Sequence, residues 1–142
     1  MRIEISDDRS RMDVEVIHTF LSQESYWAKN VPREVVERAL EHSLCVGAFD
    51  DGVQVGFARA ITDYATFAYI ADVFVLPSHR GHGISKQIMD AVVNHPRLRG
   101  LRRWHLVTRD AHGLYAQFGF GAVDVPERHM MRVVKDAYVA SG

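Results

Sequence analysis

The chain has 142 residues, 47% of them hydrophobic and 25% charged, with a formal net charge of -1. That size and balance suit a globular chain with one core, read as a single domain over residues 1–142 with its core in 44–135, and exclude a broadly basic nucleic-acid-binding surface. A single cysteine excludes an internal disulfide, and no apolar run reaches the length of a signal peptide core or a membrane span, so a reducing, cytoplasmic setting is expected, with neither nucleic acid nor membrane as partner.

Arg2 to Ser6 alternates charge with isoleucine and predicts an edge strand. Asp13 is a helix cap candidate, followed by an apolar face of Val16, Ile17, Phe20 and Leu21. Ser22 to Asn30 reads as a loop carrying Tyr26 and Trp27. Pro32 opens a second helix as its first residue, with Val35, Val36, Ala39 and Leu40 on one face. Leu44 to Phe49 predicts a strand holding Cys45 in the core, and Asp50-Asp51-Gly52 a hairpin turn. Val53 to Ile61 returns, with Gly56 marking a bulge or a close approach.

Thr62 to Ala65 is a second turn and Thr66 to Leu76 a third strand. A helix runs from Ile84 to Asn94 and stops before Pro96. His95 to Gly100 is a loop, in which basic residues near Arg97 to Arg103 form a solvated connection. Arg103 to Thr108 is a strand, Asp110 caps a helix from Ala111 to Phe118, and Gly119-Phe120-Gly121 ends it. Met130 to Val134 predicts a last strand, and the tail to Gly142 is expected to be loose. Helices, then a three-strand meander, then strand-helix-strand-helix-strand predict an α/β (α+β) domain with one central sheet.

The most informative stretch is Val73 to Ser85, where a strand stops at Pro77, an Arg-Gly-His-Gly turn follows, and a helix starts at Ile84. A strand feeding a glycine turn and a helix start presents free backbone N–H groups and the positive end of a helix dipole, which suits a phosphate. A P-loop is excluded because no Gly-Lys pair exists, and a dinucleotide fingerprint because the third glycine is missing after Gly81-His82-Gly83. Eight histidines include no His-x-x-x-His pair, so no metal is expected.

Arg80-Gly81-His82-Gly83-Ile84-Ser85 resembles the Gln/Arg-x-x-Gly-x-Gly/Ala signature of the GNAT superfamily of N-acetyltransferases, with Ser85 where Gly or Ala is usual. Ala111-His112-Gly113-Leu114-Tyr115-Ala116-Gln117-Phe118-Gly119-Phe120 resembles that family's Ala-x-x-Leu-Tyr-x-x-x-Gly-Phe segment. The resemblance covers about Leu44 to Phe120 and implies a mixed, mostly antiparallel twisted sheet flanked by helices. It implies acetyl-CoA as donor and direct attack by a primary amine of a small molecule or peptide in a ternary complex. A non-catalytic acyl-CoA-binding or sensor module is the alternative. Relatives are often dimers, so a homodimer is a further expectation.

The family pattern assigns Tyr115 to protonating the departing sulfur, and a phenol with a pKa of about 10 keeps its proton at neutral pH. It puts the pantetheine arm on the strand edge at Phe74 and Val75 and the pyrophosphate on Arg80, Gly81, His82, Gly83, Ile84, Ser85 and Lys86. Thr108 stands where relatives carry an Asn that touches pantetheine, and His112 and Tyr115 complete the expected donor site. Asp72, beside the strand edge, is the candidate base, acting through water; Asp63, His105 and His112 are its rivals. Tyr26, Trp27, Arg59 and Asp63 are candidates for the acceptor pocket, with a core plug as the other reading of Trp27.

Overall fold

Leu44–Asp50 (β2) and Val53–Thr62 (β3) form the middle of the fold, and most of their residues are buried. They meet in a computed structural model that describes residues 1–138. The two-residue connection puts Asp51 at φ +48° and Gly52 at φ +86°, the pair of left-handed conformations that a tight hairpin requires. Ile3–Ser6 (β1) pairs with β2, and Phe67–Val75 (β4) with β3, all antiparallel. Arg103–His105 (β5) runs parallel to β4 and completes a five-stranded sheet in the order β1-β2-β3-β4-β5. The expected mixed, mostly antiparallel sheet flanked by helices is therefore present.

Helices cover both faces. Ile84–Val93 (α3) is the crossover between β4 and β5 and buries Ile84, Ile88, Met89 and Val92 against the sheet. On the other face lie Val14–Thr19 (α1) and Arg33–Glu41 (α2), whose Ile17, Val36 and Leu40 pack with Cys45, Phe57 and Phe74. Asp13 caps α1 by accepting the Val16 amide at 3.2 Å. Pro32 is the cap residue before α2 rather than its first turn, because its ψ of 147° is extended. Core residues thus begin at Ile17, ahead of the expected 44–135 boundary.

Three further expectations are corrected. The loop expected from Ser22 begins only at Ser25, since Phe20–Glu24 continues α1 as a π-helical turn. Ser22 and Ser25 donate their hydroxyls to the His18 and Leu21 carbonyls, both at 2.7 Å, which gives that turn internal partners. The strand expected to reach Thr108 stops at His105. Met130 to Val134 forms no strand and is exposed, with Met130 98% accessible. A β-branched run needs a partner, and β5 offers an edge of only three residues. The loose tail expected to reach Gly142 falls in part on residues 139–142, outside the described residues.

Gly56 is a point of close approach. A Cβ there would lie 2.9 Å from Ile88 Cδ1, 3.2 Å from the Phe74 carbonyl oxygen and 3.3 Å from Ala48 Cβ. Ile88 is fully buried, so it has little room to yield. Gly56→Val is expected to destabilise the protein by about 2–3 kcal/mol, the upper part of the overpacking range. The check is a shift in urea midpoint without change in slope.

Candidate functional site

Tyr115 lies on His112–Ala116 (α4), and the segment after that helix fixes its place. Gly119 adopts φ +90°. Its amide bonds the Ala116 carbonyl at 3.2 Å, and the Phe120 amide reaches back to the Tyr115 carbonyl at 3.3 Å. This is the paired hydrogen-bond pattern of a Schellman stop, which places the residue after the glycine against the residue that receives its amide. Phe120 accordingly packs edge-on against Tyr115, with ring centroids 6.2 Å apart. At the other end, Thr108 Oγ1 accepts the Ala111 amide at 3.0 Å. Ala111, not the expected Asp110, is the cap residue of α4, with no side-chain cap bond, and Asp110 lines both cavities.

The sheet opens a cleft beside this tyrosine. β4 pairs with β5 only from Phe67 to Tyr69, opposite Arg103 to His105. Beyond Tyr69, β4 continues to Val75 with no strand on that side among the described residues, while the chain after His105 turns away to α4. The resulting space forms two cavities of about 440 and 450 Å³.

The second of these is lined by Phe74, Val75, Arg80, Gly81, Gly83, Ile84 and Ser85, which are among the donor-site candidates named above. Gly81 and Gly83 adopt φ +83° and +73°, and nothing lies within 4 Å of the place a Cβ would occupy on either. The amides of residues 81 to 86 donate to no acceptor among the described residues; the first helical bond of α3 is from Gln87 to the Gly83 carbonyl. Six amides at the start of a ten-residue helix, above open space, fit a pyrophosphate. The open edge of β4 fits the amides of a pantetheine arm. Arg80 itself turns back, its Nε donating to the Val75 carbonyl at 3.0 Å. His82, Lys86 and His112 are exposed and their side chains line neither cavity.

The first cavity is lined by Tyr26, Trp27, Arg59, Asp72, Thr108 and residues of α2. Between the Phe57–Phe74 and Arg59–Ala71 pairs, β4 carries one residue more than β3, so Asp72 sits on a bulge, at φ +58°. Arg59 lies opposite Ala71; in a regular strand Asp72 would point to the other face. The bulge instead lets Asp72 Oδ2 meet Arg59 Nε at 2.5 Å, while Oδ1 accepts the Trp27 indole N–H at 2.9 Å. Arg59 also donates to Ser43 Oγ at 3.1 Å. Trp27 is thus no core plug: it is 42% accessible and lines both cavities.

Tyr26 ties the same loop to the far side of the cleft. Its hydroxyl accepts the Arg109 amide at 3.2 Å, and the Arg109 guanidinium stacks 3.9 Å above its ring. Tyr115 also lines both cavities. Burial pushes its phenol up to about 12, so the group is protonated throughout the physiological range.

Asp63 does not reach the site. Its carboxylate accepts the Thr66 hydroxyl and the amides of Ala65, Thr66 and Phe67 in the β3–β4 turn, and these bonds hold its pKa well below the usual range. His105 stacks on Tyr69 and His129 and lines neither cavity. Sequence reasoning missed Arg109, Asp110 and His79. His79 braces the glycine turn by bonding Asp50 at 2.8 Å. Arg109 and Asp110 directly precede the tyrosine motif, and that adjacency was the available signal.

The model of the acetyltransferase (GNAT) family matches residues 14–120. A candidate acetyltransferase of Gibberella zeae is 31% identical over 157 residues, covering 95% of this chain and 87% of that protein. The crystal structure of a candidate GNAT-family acetyltransferase from Xanthomonas campestris pv. campestris superimposes with a TM-score of 0.94, at 55% identity over 98% of both chains. A candidate acetyltransferase of Clostridium acetobutylicum, crystallised with acetyl-CoA, shares the fold, with a TM-score of 0.67 at 17% identity over 94% of this chain and 95% of that one.

Gly83→Val would meet no protein atom, so its effect comes through the backbone: a β-branched residue resists the left-handed conformation that turns the loop into α3. Acetyl-CoA affinity measured by calorimetry is expected to fall by at least tenfold, with the thermal midpoint moving by only a few degrees. Unchanged affinity removes the glycine turn from the donor site.

Proposed function

Since this chain belongs to the acetyltransferase (GNAT) family, we propose that it transfers the acetyl group of acetyl-CoA to a primary amine, by direct attack while donor and acceptor are bound together. The observation that carries this reading is the place of Tyr115. Tyr115 lines both cavities, the one that includes Gly81 and Gly83 of the glycine turn and the one that includes Arg59, Asp72 and Trp27.

Bound acetyl-CoA supplies an activated thioester carbonyl. The amides of residues 81 to 86 hold its pyrophosphate, and the open edge of β4 at Phe74 and Val75 aligns its arm and offers a backbone N–H to the carbonyl oxygen. As the nitrogen–carbon bond forms and the carbon–sulfur bond breaks, Tyr115 donates at its Oη to the sulfur. The amine's proton leaves to solvent, and a solvent proton restores the phenol.

Asp72 stands beside this point, with Trp27 on one oxygen and Arg59 on the other. Both oxygens of the carboxylate are thus already engaged by the walls of the cleft. We therefore assign Asp72 as a positioning residue that fixes Trp27 and Arg59 at the acceptor wall, in place of the base expected from the sequence.

Tyr115→Phe is expected to lower kcat by roughly 10²-fold with little change in acetyl-CoA affinity. Because burial raises the phenol to about 12, the wild-type enzyme keeps its acid as pH rises through 10. Its kcat profile is expected to show no alkaline fall between pH 7 and 10 when chemistry is limiting. A fall centred near pH 9 assigns the acid elsewhere. Asp72→Asn separates the two roles of that residue. As a positioning residue it raises KM for the amine and leaves the acidic limb of the kcat profile in place; loss of that limb identifies Asp72 as the base.

A further inference from the structure

We infer that the acceptor is an amine on a flat, uncharged apolar body, an arylalkylamine in chemical class. The inference rests on the proposed acetyl transfer and names its acceptor. It starts from the walls of the 440 Å³ cavity, a volume within the small-molecule range of roughly 300–1,000 Å³. Its apolar lining includes Val35, Val36 and Ala39 of α2 together with the aromatic residues Trp27 and Tyr69. The Trp27 ring is held by its bond to Asp72 and by an edge-on contact with Tyr26, ring centroids 5.0 Å apart. An indole 42% accessible and fixed by its nitrogen presents a rigid apolar face to the cavity.

Charge narrows the class further. Among the described residues, three charged side chains line this cavity, Arg59, Asp72 and Asp110. Arg59 and Asp72 neutralise each other at 2.5 Å, with side chains only 17% and 12% accessible. Asp110 is at the opening, its side chain 71% accessible and 3.8 Å from the Arg109 guanidinium. A second ammonium on the acceptor therefore meets no unpaired buried carboxylate, and a phosphate or carboxylate meets no unpaired guanidinium. Bringing such a charge into the cavity exacts its desolvation without a new partner. A flat hydrocarbon body meets no such penalty and covers the apolar walls. Its amine reaches toward Tyr115, where the nitrogen–carbon bond forms, the carbon–sulfur bond breaks and the phenol proton passes to the thiolate.

The test is thiol release at saturating acetyl-CoA with 2-phenylethylamine, spermidine, glucosamine 6-phosphate, glutamate and a lysine-containing peptide. The expected kcat/KM for 2-phenylethylamine exceeds each of the others by at least tenfold. Ala39→Leu, which fills the wall, is expected to lower it at least tenfold while the acetyl-CoA Kd from calorimetry stays within twofold. Val35→Asp, which puts a charge on the same wall, is expected to do the same if the leucine variant folds poorly. A charged acceptor turned over as well as 2-phenylethylamine overturns the inference and leaves acetyl transfer standing. Acetyl-CoA binding without turnover of any acceptor overturns acetyl transfer, and the inference with it.

Discussion

The parallel pairing of β4 with β5 lasts for three residue pairs and then stops, and the cleft exists because it stops. A parallel pair that ran on to Val75 would bond the second edge of β4 and close the space in front of the glycine turn. Here Leu106 to Thr108 leave the sheet, and Thr108 Oγ1 accepts the Ala111 amide in the turn that leads into α4. The short strand and the bonded turn therefore act together. One frees an edge of backbone hydrogen-bonding groups; the other swings Tyr115 across the opening.

A bulge and an ion pair hold one side of this opening. Without the extra residue in β4, Asp72 would point away from Arg59. With it, one carboxylate joins β3, β4 and the loop after α1 through Arg59 and Trp27. Tyr26 makes the matching tie to Arg109 on the opposite bank. Two adjacent aromatic residues thus span the cleft, each anchored on a different side, and both line the two cavities. The aromatic loop is as much a part of the site's geometry as the sheet beneath it.

Features that depend on near neighbours in the chain were legible in the sequence. The Asp13 cap, the Asp51-Gly52 hairpin, the glycine turn into α3 and the Gly119-Phe120 stop all express local backbone requirements, and each appears where its residues predict it. The close approach at Gly56 was readable as a glycine inside a strand, but not what it meets, since Ile88 lies on another element. The ties that hold the aromatic loop across the cleft were not legible: Trp27 and Asp72 are 45 positions apart, and Tyr26 and Arg109 are 83. Met130 to Val134 has the composition of a strand and lacks an edge long enough to pair with, a fact of topology rather than of propensity. Asp63 is different. An Asp followed three residues later by Thr66 is a local turn signal, and a functional reading of its charge overrode what its neighbours already indicated.

The environment of Tyr115 also limits what its phenol can do. Burial that raises its pKa to about 12 keeps the proton in place, but it makes the group a weaker acid than a thiol, whose ordinary pKa is about 8.5. Complete transfer from this phenol to a free thiolate is therefore uphill in isolation. A hydrogen bond from the phenol to sulfur still favours the transition state as charge builds there, and it does so more strongly in a site from which water is excluded. Transfer becomes favourable overall because the attacking nitrogen, once bonded to the acetyl carbon, becomes far more acidic and releases a proton of its own. In the proposed reaction Tyr115 is thus a donor matched to developing charge rather than a strong acid. A Schellman stop that locks its backbone, with Phe120 packed against its ring, supplies what such a donor needs most, which is a fixed direction.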